Sequence, residues 1–171
     1  MNSNIYLIGM MASGKSTIGK MLADLLKLEF IDTDKKIENF MRLPISKIFE
    51  EFGEDRFRAM EESYFTEKSQ LSNLIISTGG GIILSHKNRK ILQSASKSIY
   101  LKASPKILSK RVEKKIYKRP LLLNQNHSIL STLNTLFEKR NNLYENSAQF
   151  TIKTDSLSKT ETFNEVLSCI V

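Results

Sequence analysis

Short apolar runs alternate with longer amphipathic segments along the chain, and glycines or polar residues separate most of them. Apolar runs of four or five residues favour buried strands, whereas apolar positions three and four residues apart favour helices. The pattern predicts strands over residues 4–8, 29–32, 74–78, 98–102 and 150–153. It predicts helices over residues 15–27, 34–41, 54–71, 87–94, about 105–114, 128–146 and 158–170, and a further apolar helical stripe from residue 45 to the glycine at 53.

Strands that alternate with helices predict an α/β fold, in which a central parallel sheet is covered by helices on both faces. The chain has 171 residues, which is the size of one domain. It contains no internal repeat, low-complexity tract or linker-like segment. We therefore expect one three-layer domain over residues 1–171.

Charge and cysteine content narrow the possible environments and ligands. The net charge is +8, from 26 basic and 18 acidic side chains. This balance suits anionic ligands, although lysines also serve simply as solubilising surface residues. The single cysteine, Cys169, cannot form an intramolecular disulfide, so a reducing compartment fits best. With no apolar run of 18 residues and no signal-peptide pattern, we expect a cytoplasmic protein without a membrane partner.

A phosphate-binding motif follows the first predicted strand. Residues 9–16, Gly-Met-Met-Ala-Ser-Gly-Lys-Ser, match G-x-x-x-x-G-K-[ST], and an amphipathic helix follows them. Glycines let several backbone N–H groups point at phosphate oxygens, beside the positive end of the helix dipole. Lys15 then reaches the β- and γ-phosphates, and the Ser16 hydroxyl can ligate Mg²⁺. The motif predicts nucleotide binding but not the acceptor, because GTPases, ATPases and small-molecule kinases share it.

Two carboxylates, Asp32 and Asp34, follow the second predicted strand. Ligands of open parallel sheets bind at the carboxyl ends of the strands. One carboxylate can help to hold hydrated Mg²⁺, and the other can accept a proton from an attacking hydroxyl. Asp34 can equally serve as the N-cap of the next helix. These residues alone leave both interpretations open.

Arg58 and Glu61 are three residues apart on a predicted helix, so they share a face and can pair. An arginine oriented by a glutamate can clamp a substrate carboxylate with two hydrogen bonds. A surface ion pair is the simpler alternative when these two residues are taken by themselves.

The run Gly79, Gly80 and Gly81 follows a buried strand. Three glycines let a ligand approach the backbone closely, although a flexible turn is the alternative interpretation.

Two further arginines lie in the second half of the chain. Arg119 precedes a proline in a basic, polar segment, where a mobile loop can close over phosphates and neutralise developing charge. An ordinary basic surface loop is the alternative. Arg140 lies four residues before Tyr144 on a predicted helix. Arg140 is a candidate second anchor for a carboxylate, whereas Tyr144 suits packing.

Taken in order, these motifs resemble the shikimate kinase family. The resemblance runs from Ile5 to about Lys153, and the ordered set is far more specific than any one piece. Its elements are residues 9–17, Asp32-Thr33-Asp34, Ile48-Phe49, Gly53-Glu54, Phe57-Arg58, Glu61, residues 77–81, residues 119–122, Arg140 and Tyr144. Two departures concern loop geometry rather than chemistry. Ala12 stands where such loops often have glycine, and Arg42 and Pro44 replace the usual small residues.

The resemblance implies a P-loop kinase three-layer αβα fold, similar to that of the nucleoside monophosphate kinases. It implies a single kinase domain over residues 1–171, with the P-loop at 9–17, a substrate-binding region at about 33–61 and a mobile lid at about 112–126. The implied partners are ATP and shikimate, with one Mg²⁺ per subunit. We expect a monomer that binds no nucleic acid.

The resemblance also implies a role for each site residue. Arg58 and Arg140 would hold the shikimate carboxylate, and Asp34 with the backbone of residues 79–81 would meet its hydroxyls. Lys15 and Arg119 would stabilise the transferring phosphoryl group, with Asp34 accepting the hydroxyl proton. Ser16 would bind Mg²⁺ directly, and Asp32 would act through water. The implied nucleotide contacts are Ala12, Ser13, Gly14, Lys15, Ser16, Thr17, Arg111, Arg119 and Thr154.

The reaction implied is transfer of the ATP γ-phosphoryl group to the 3-hydroxyl of shikimate, which gives shikimate 3-phosphate and ADP, in chorismate and aromatic amino acid biosynthesis. Another small-acid kinase, such as a gluconate kinase, is the nearest alternative, but we would not expect it to carry the paired arginines. A nucleic-acid-binding ATPase is disfavoured because the basic residues are scattered and lack an aromatic stacking set. A non-catalytic P-loop module is disfavoured by the intact Lys15, Ser16, Asp34 and Arg119.

Overall fold

The computed structural model of the protein describes residues 4–113 and 128–171. In these ranges, five parallel strands form one sheet in the order β2-β3-β1-β4-β5. The strands are β1 (Ile5–Ile8), β2 (Glu29–Asp32), β3 (Leu74–Ser77), β4 (Ser98–Lys102) and β5 (Phe150–Lys153). This arrangement confirms the predicted α/β fold with its central parallel sheet.

The helices connect successive parallel strands and cover both faces of the sheet. They are α1 (Lys15–Leu26), α2 (Thr33–Met41), α3 (Ile45–Phe52), α4 (Glu54–Ser69), α5 (His86–Ser94), α6 (Pro105–Glu113), α7 (Ile129–Glu145) and α8 (Lys159–Ser168), with a short 3-10 helix at Ile82–Leu84. None of the helices in the described part of the chain combines the length and the apolar character that a membrane crossing requires.

Alternate side chains of the central strands enter two separate cores. Tyr6 and Ile8 of β1 join a core that also includes Phe65 of α4 and Tyr144 of α7. Leu7, on the same strand, joins the opposite core together with residues of α1 and α8. Side chains of a strand point alternately to the two faces of its sheet, so a central strand buried on both faces has no polar position. This explains the unbroken apolar run of β1.

A third, smaller core lies among α2, α3 and α4. It contains Ile37, Ile48 and Phe57, with Phe49 packed against it. Pro44 and Gly53 mark the two ends of α3, since Pro44 precedes its first residue and Gly53, with a φ of 81°, follows its last. These short helices place the face of α4 that carries Arg58 near the end of β2.

The predicted strand bounds agree with the structure to within one residue, and β2, β4 and β5 agree at both ends. The pattern missed the 3-10 helix at Ile82–Leu84, because three residues are too few to show a helical period. The predicted lid at about 112–126 falls almost entirely outside the described residues. The domain boundaries stay predictions.

Candidate active site

The phosphate-binding loop leads from β1 into α1, as predicted. Gly14 precedes the helix with a φ of 109°. Ala12 also has a left-handed backbone, with a φ of 62°, which explains why glycine suits this position in such loops. The buried Lys15 side chain donates hydrogen bonds from Nζ to the carbonyls of Gly9, at 2.8 Å, and Met10, at 2.9 Å. The loop thus holds the Lys15 ammonium over its own backbone, at the start of the helix.

Three oxygen-bearing side chains meet where α1, β2 and β3 come together. The Ser16 hydroxyl donates to Asp32 Oδ2 over 2.6 Å, and Ser77 Oγ lies 3.3 Å from Ser16 Oγ. Asp32 and Ser77 are paired in the register of adjacent parallel strands, so both occur at the carboxyl edge of the sheet. Ser16 and Asp32 were predicted to share a metal site, and the fold brings them into contact. The predictions did not include Ser77 among the site residues.

The helix after β2 is capped by Asp32 rather than by Asp34. Asp32 Oδ1 accepts a hydrogen bond from Lys35 N over 3.2 Å, at the N-cap position of α2. Asp34 therefore lies in the first turn of the helix. A methyl group built on Gly79 would collide with Asp34 Oδ1 and with Glu61 Oε1, so both carboxylate oxygens lie against the same side of that glycine. Asp34 consequently faces the loop formed by Gly79, Gly80 and Gly81, here called the glycine loop. The alternative interpretation, that Asp34 is the N-cap of the helix, is wrong.

The surroundings of Asp34 make its carboxyl group weakly acidic. Burial, together with the negative charges of Glu61 and Asp32, raises the pKa of Asp34 to about 7. The positive charges of Lys15 and Arg58 offset part of this rise. Lys15 thus acts on Asp34 from the phosphate-binding side, whereas Arg58 acts on it from α4. Asp34 lies between the two halves of the site.

Arg58 is held in place by carboxylates and aromatic rings. Its Nη1 donates to Glu61 Oε2 over 2.7 Å, and its Nε and Nη2 donate to Glu54 Oε1 over 3.1 and 2.9 Å. The guanidinium carbon lies 5.8 Å from the centre of the Phe49 ring and 5.1 Å from that of Phe57. The predicted pairing of Arg58 with Glu61 is confirmed, and the Glu61 side chain is only 2% exposed. Burial raises the pKa of Glu61, although the charge of Arg58 counteracts this effect.

The glycine loop brings the two candidate acid-binding arginines together. Gly80 O accepts hydrogen bonds from Tyr144 Oη at 2.5 Å and from Arg140 Nη1 at 3.0 Å, both on α7. A methyl group on Gly81 would overlap the Arg58 guanidinium, which therefore lies against this glycine. Arg58 and Arg140 thus approach the loop from two different helices. Tyr144 is fully buried, in agreement with its predicted packing role.

Arg111 and Thr154 lie together beside the phosphate-binding loop. Arg111 Nη2 donates to Thr154 O over 2.9 Å, and Nη1 lies 3.3 Å from Thr154 Oγ1. The same Nη1 lies 3.5 Å from Ser13 O. These contacts join α6 to the end of β5 and to the P-loop. The two residues predicted to flank the adenine are therefore neighbours, on the phosphate-loop side of the sheet.

The contacts described above bring together most of the predicted site residues, while Arg119 lies outside the described residues. Thr17 is exposed at the start of α1. Sequence reasoning missed Thr33, whose Oγ1 accepts a hydrogen bond from Gly79 N over 2.9 Å. It also missed that Glu61 Oε1 is buried and has no hydrogen-bond partner among the described residues. The contact of Thr33 joins segments 46 positions apart, so no spacing signal marks it.

Comparisons with known proteins indicate one family. The shikimate kinase family model matches residues 11–171. A shikimate kinase of Histophilus somni is 40% identical over 167 residues, which cover 98% of this chain and 94% of the relative. The solved structure of a shikimate kinase from Acinetobacter baumannii in complex with shikimate has a TM-score of 0.91 and 34% identity, and the match covers 99% of this chain and 93% of that one.

A more distant neighbour shows only the fold. A gluconokinase from Sinorhizobium meliloti matches with a TM-score of 0.58 and 16% identity, over 99% of this chain and 91% of that one. The family model and the relative that is 40% identical both extend over nearly the whole chain, and both bear one family name. The chain therefore belongs to the shikimate kinase family.

Proposed function

We propose that this chain transfers the γ-phosphoryl group of ATP to the 3-hydroxyl of shikimate, giving shikimate 3-phosphate and ADP. The observation that carries the proposal is the convergence of Arg58 and Arg140 on the glycine loop, with Asp34 between that loop and Lys15. An acid with neighbouring hydroxyls fits such a site, since guanidinium groups bind the carboxylate while a carboxylate and backbone groups meet the hydroxyls. The family membership of the chain supports the same acceptor.

On the nucleotide side, the loop over residues 9–17 offers backbone N–H groups and the positive end of α1 to the phosphates. Lys15 would exchange its bonds to the Gly9 and Met10 carbonyls for phosphate oxygens. Arg111 and Thr154 would contact the adenine end of the nucleotide, and Arg119 would approach the transferring group. The family supports ATP as the phosphoryl donor.

The residues at the Ser16 hydroxyl fit Mg²⁺. This ion commonly keeps several waters and takes one or two protein oxygens together with substrate phosphates. Ser16 would supply such an oxygen directly and Asp32 would act through a bound water, and the two side-chain oxygens lie 2.6 Å apart. No group of three or more histidine, cysteine or acidic side chains in the described ranges could hold a metal by itself. When bound, Mg²⁺ would neutralise charge on the β- and γ-phosphates.

In phosphoryl transfer the protein itself carries out little covalent chemistry, and it acts mainly by positioning the reactants and by electrostatic stabilisation. Asp34 would accept the proton of the attacking hydroxyl as the new O–P bond forms and the bond to the ADP oxygen breaks. Lys15 would stabilise the charge on the phosphoryl oxygens in the transition state. Arg58 and Arg140 would fix the acid so that the hydroxyl lies in line with the γ-phosphorus. Positioning and charge neutralisation then supply most of the rate enhancement.

A coupled ADP-release assay tests the proposal. Purified protein with ATP and Mg²⁺ should release ADP rapidly when shikimate is added, and only slowly without it. A panel with gluconate and other hydroxy acids should give little release. Arg58→Ala should retain the KM for ATP but raise that for shikimate. ADP release that does not respond to shikimate, or responds better to another acid, would overturn the proposed acceptor.

A further inference from the structure

Thr33 stands between the two site carboxylates and is fully buried. Its Oγ1 accepts a hydrogen bond from the backbone N–H of Gly79 over 2.9 Å. The two residues belong to different strand-to-helix connections, 46 positions apart in the chain. The contact therefore ties the connection that bears Asp34 directly to the glycine loop.

The position of Thr33 explains why a side chain makes this bond. Asp32 and Ser77 are the last pair in the register of β2 and β3. Thr33 is the first residue of α2, so its carbonyl points along the helix axis and is turned away from the neighbouring strand. The threonine hydroxyl supplies the acceptor that the ladder no longer provides. Without this hydroxyl, the buried Gly79 N–H would have no hydrogen-bond acceptor, and an unsatisfied buried donor lowers the free energy of unfolding.

The groups of the acceptor site all contact the loop that this bond holds. Gly79 lies against Asp34 Oδ1 and Glu61 Oε1, and the next residue offers its carbonyl to Arg140. Gly81 lies against the Arg58 guanidinium. A displacement of Gly79 would change the spacing between the carboxylate that meets the hydroxyl and the arginines that hold the acid. Lys15 and Ser16 are on a separate element, α1, and would be affected less.

We infer that Thr33 is a positioning residue for acceptor binding, whose hydroxyl holds the glycine loop in register with Asp34. The inference rests on the proposed function for the identity of the acceptor. The contact between the hydroxyl and the Gly79 N–H does not depend on that identity. Two measurements, one of them independent of activity, therefore test it.

The first measurement compares Thr33→Val, which keeps the shape but removes the acceptor, with Thr33→Ser, which keeps the hydroxyl. Thr162→Val is a matched control, because Thr162 is also buried and its hydroxyl donates to Ser158 O on the far side of the sheet. We expect Thr33→Val to raise the KM for shikimate, and its dissociation constant in calorimetry, by roughly tenfold. The KM for ATP should stay within about twofold of that of Thr162→Val, and Thr33→Ser should restore most of the affinity for shikimate.

The second measurement is amide hydrogen exchange at Gly79 in the unliganded protein. The amide should be protected in the wild type and in Thr33→Ser, and should exchange faster in Thr33→Val. An unprotected Gly79 amide in the wild type would overturn the inference, even if Thr33→Val fails to fold. So would a Thr33→Val protein with the shikimate affinity of Thr162→Val, or a Thr33→Ser protein as impaired as Thr33→Val. A wild type without shikimate-dependent turnover would instead refute the proposed function, and the exchange measurement would still decide whether Thr33 holds the loop.

Discussion

Arg58 Nη1 donates a hydrogen bond to Glu61 Oε2 over 2.7 Å, and this acceptor belongs to a side chain that is 2% exposed. The same arginine also bonds to Glu54, whose side chain is 53% exposed. When one partner of a buried ion pair is removed, the other charge is left uncompensated. An exposed ion pair, in contrast, contributes little to stability. The two glutamates therefore differ in their importance for Arg58, although both lie one helical turn from it.

We predict that Glu61→Gln raises the KM for shikimate by about tenfold or more, because the neutral amide holds Arg58 less firmly. Glu54→Gln is the matched control and should raise it by less than about threefold. Steady-state kinetics at saturating ATP measure both values. Equal effects of the two substitutions would contradict the assignment of Glu61 as the residue that orients Arg58.

The sequence could predict the parts of the site that depend on local spacing. The loop at residues 9–16 carries its geometry in its own pattern, and Arg58 with Glu61 share a helix face because they are three residues apart. The bounds of the three central strands, β1, β3 and β4, followed to within one residue from their apolar runs. These features can be predicted without knowing which distant segments of the chain lie close together in the fold.

Other parts of the site could not be predicted, because they join segments that are far apart in the chain. Thr33 contacts Gly79 across 46 positions, and Ser16 approaches Ser77 across 61. The division of roles between Asp32 and Asp34 depends on where α2 begins, since either aspartate is a good N-cap. Helix boundaries are less certain from sequence than the helices themselves, so the two residues alone left this choice open. The family resemblance implied the division of roles, and the structure shows that Asp32 is the N-cap.

Lys15→Met should abolish turnover, with a loss in kcat of roughly a thousandfold or more, because the variant lacks the charge that stabilises the phosphoryl oxygens. The methionine keeps a similar length, so the fold should persist. Lys20→Met is the control, since Lys20 is exposed further along the same helix. Its kinetics should match those of the wild type. A Lys15→Met protein with near-normal kcat would remove this lysine from the proposed mechanism.

Two glycine substitutions should separate an effect on the site from an effect on stability. Gly81 has a φ of −100°, which alanine tolerates, but the added methyl group would displace the Arg58 guanidinium. Gly81→Ala should therefore raise the KM for shikimate by about tenfold while the melting temperature changes little. The KM for ATP should stay within about twofold of the wild-type value.

Gly53→Ala should behave in the opposite way. A methyl group on Gly53 meets no neighbouring atom, but the φ of 81° strains any residue with a side chain. We expect a loss of about 1–3 kcal/mol in the free energy of unfolding. Thermal and denaturant unfolding measure this loss, and the KM for shikimate below the melting temperature should change less than in Gly81→Ala. The reverse ranking of the two variants, in stability or in KM, would contradict the proposed contact between Gly81 and Arg58.

Removal of the Ser16 hydroxyl should change the requirement for magnesium. Ser16 Oγ lies 2.6 Å from Asp32 Oδ2, and Ser16→Ala removes the oxygen that we propose binds the ion directly. We expect the Mg²⁺ concentration for half-maximal activity to rise by about tenfold, whereas Ser16→Thr should keep a requirement close to that of the wild type. Titration calorimetry of Mg²⁺ with a non-hydrolysable ATP analogue should show the same order of affinities without turnover. If Ser16→Ala and Ser16→Thr bound Mg²⁺ equally well, the ion would have to be held by groups other than this hydroxyl.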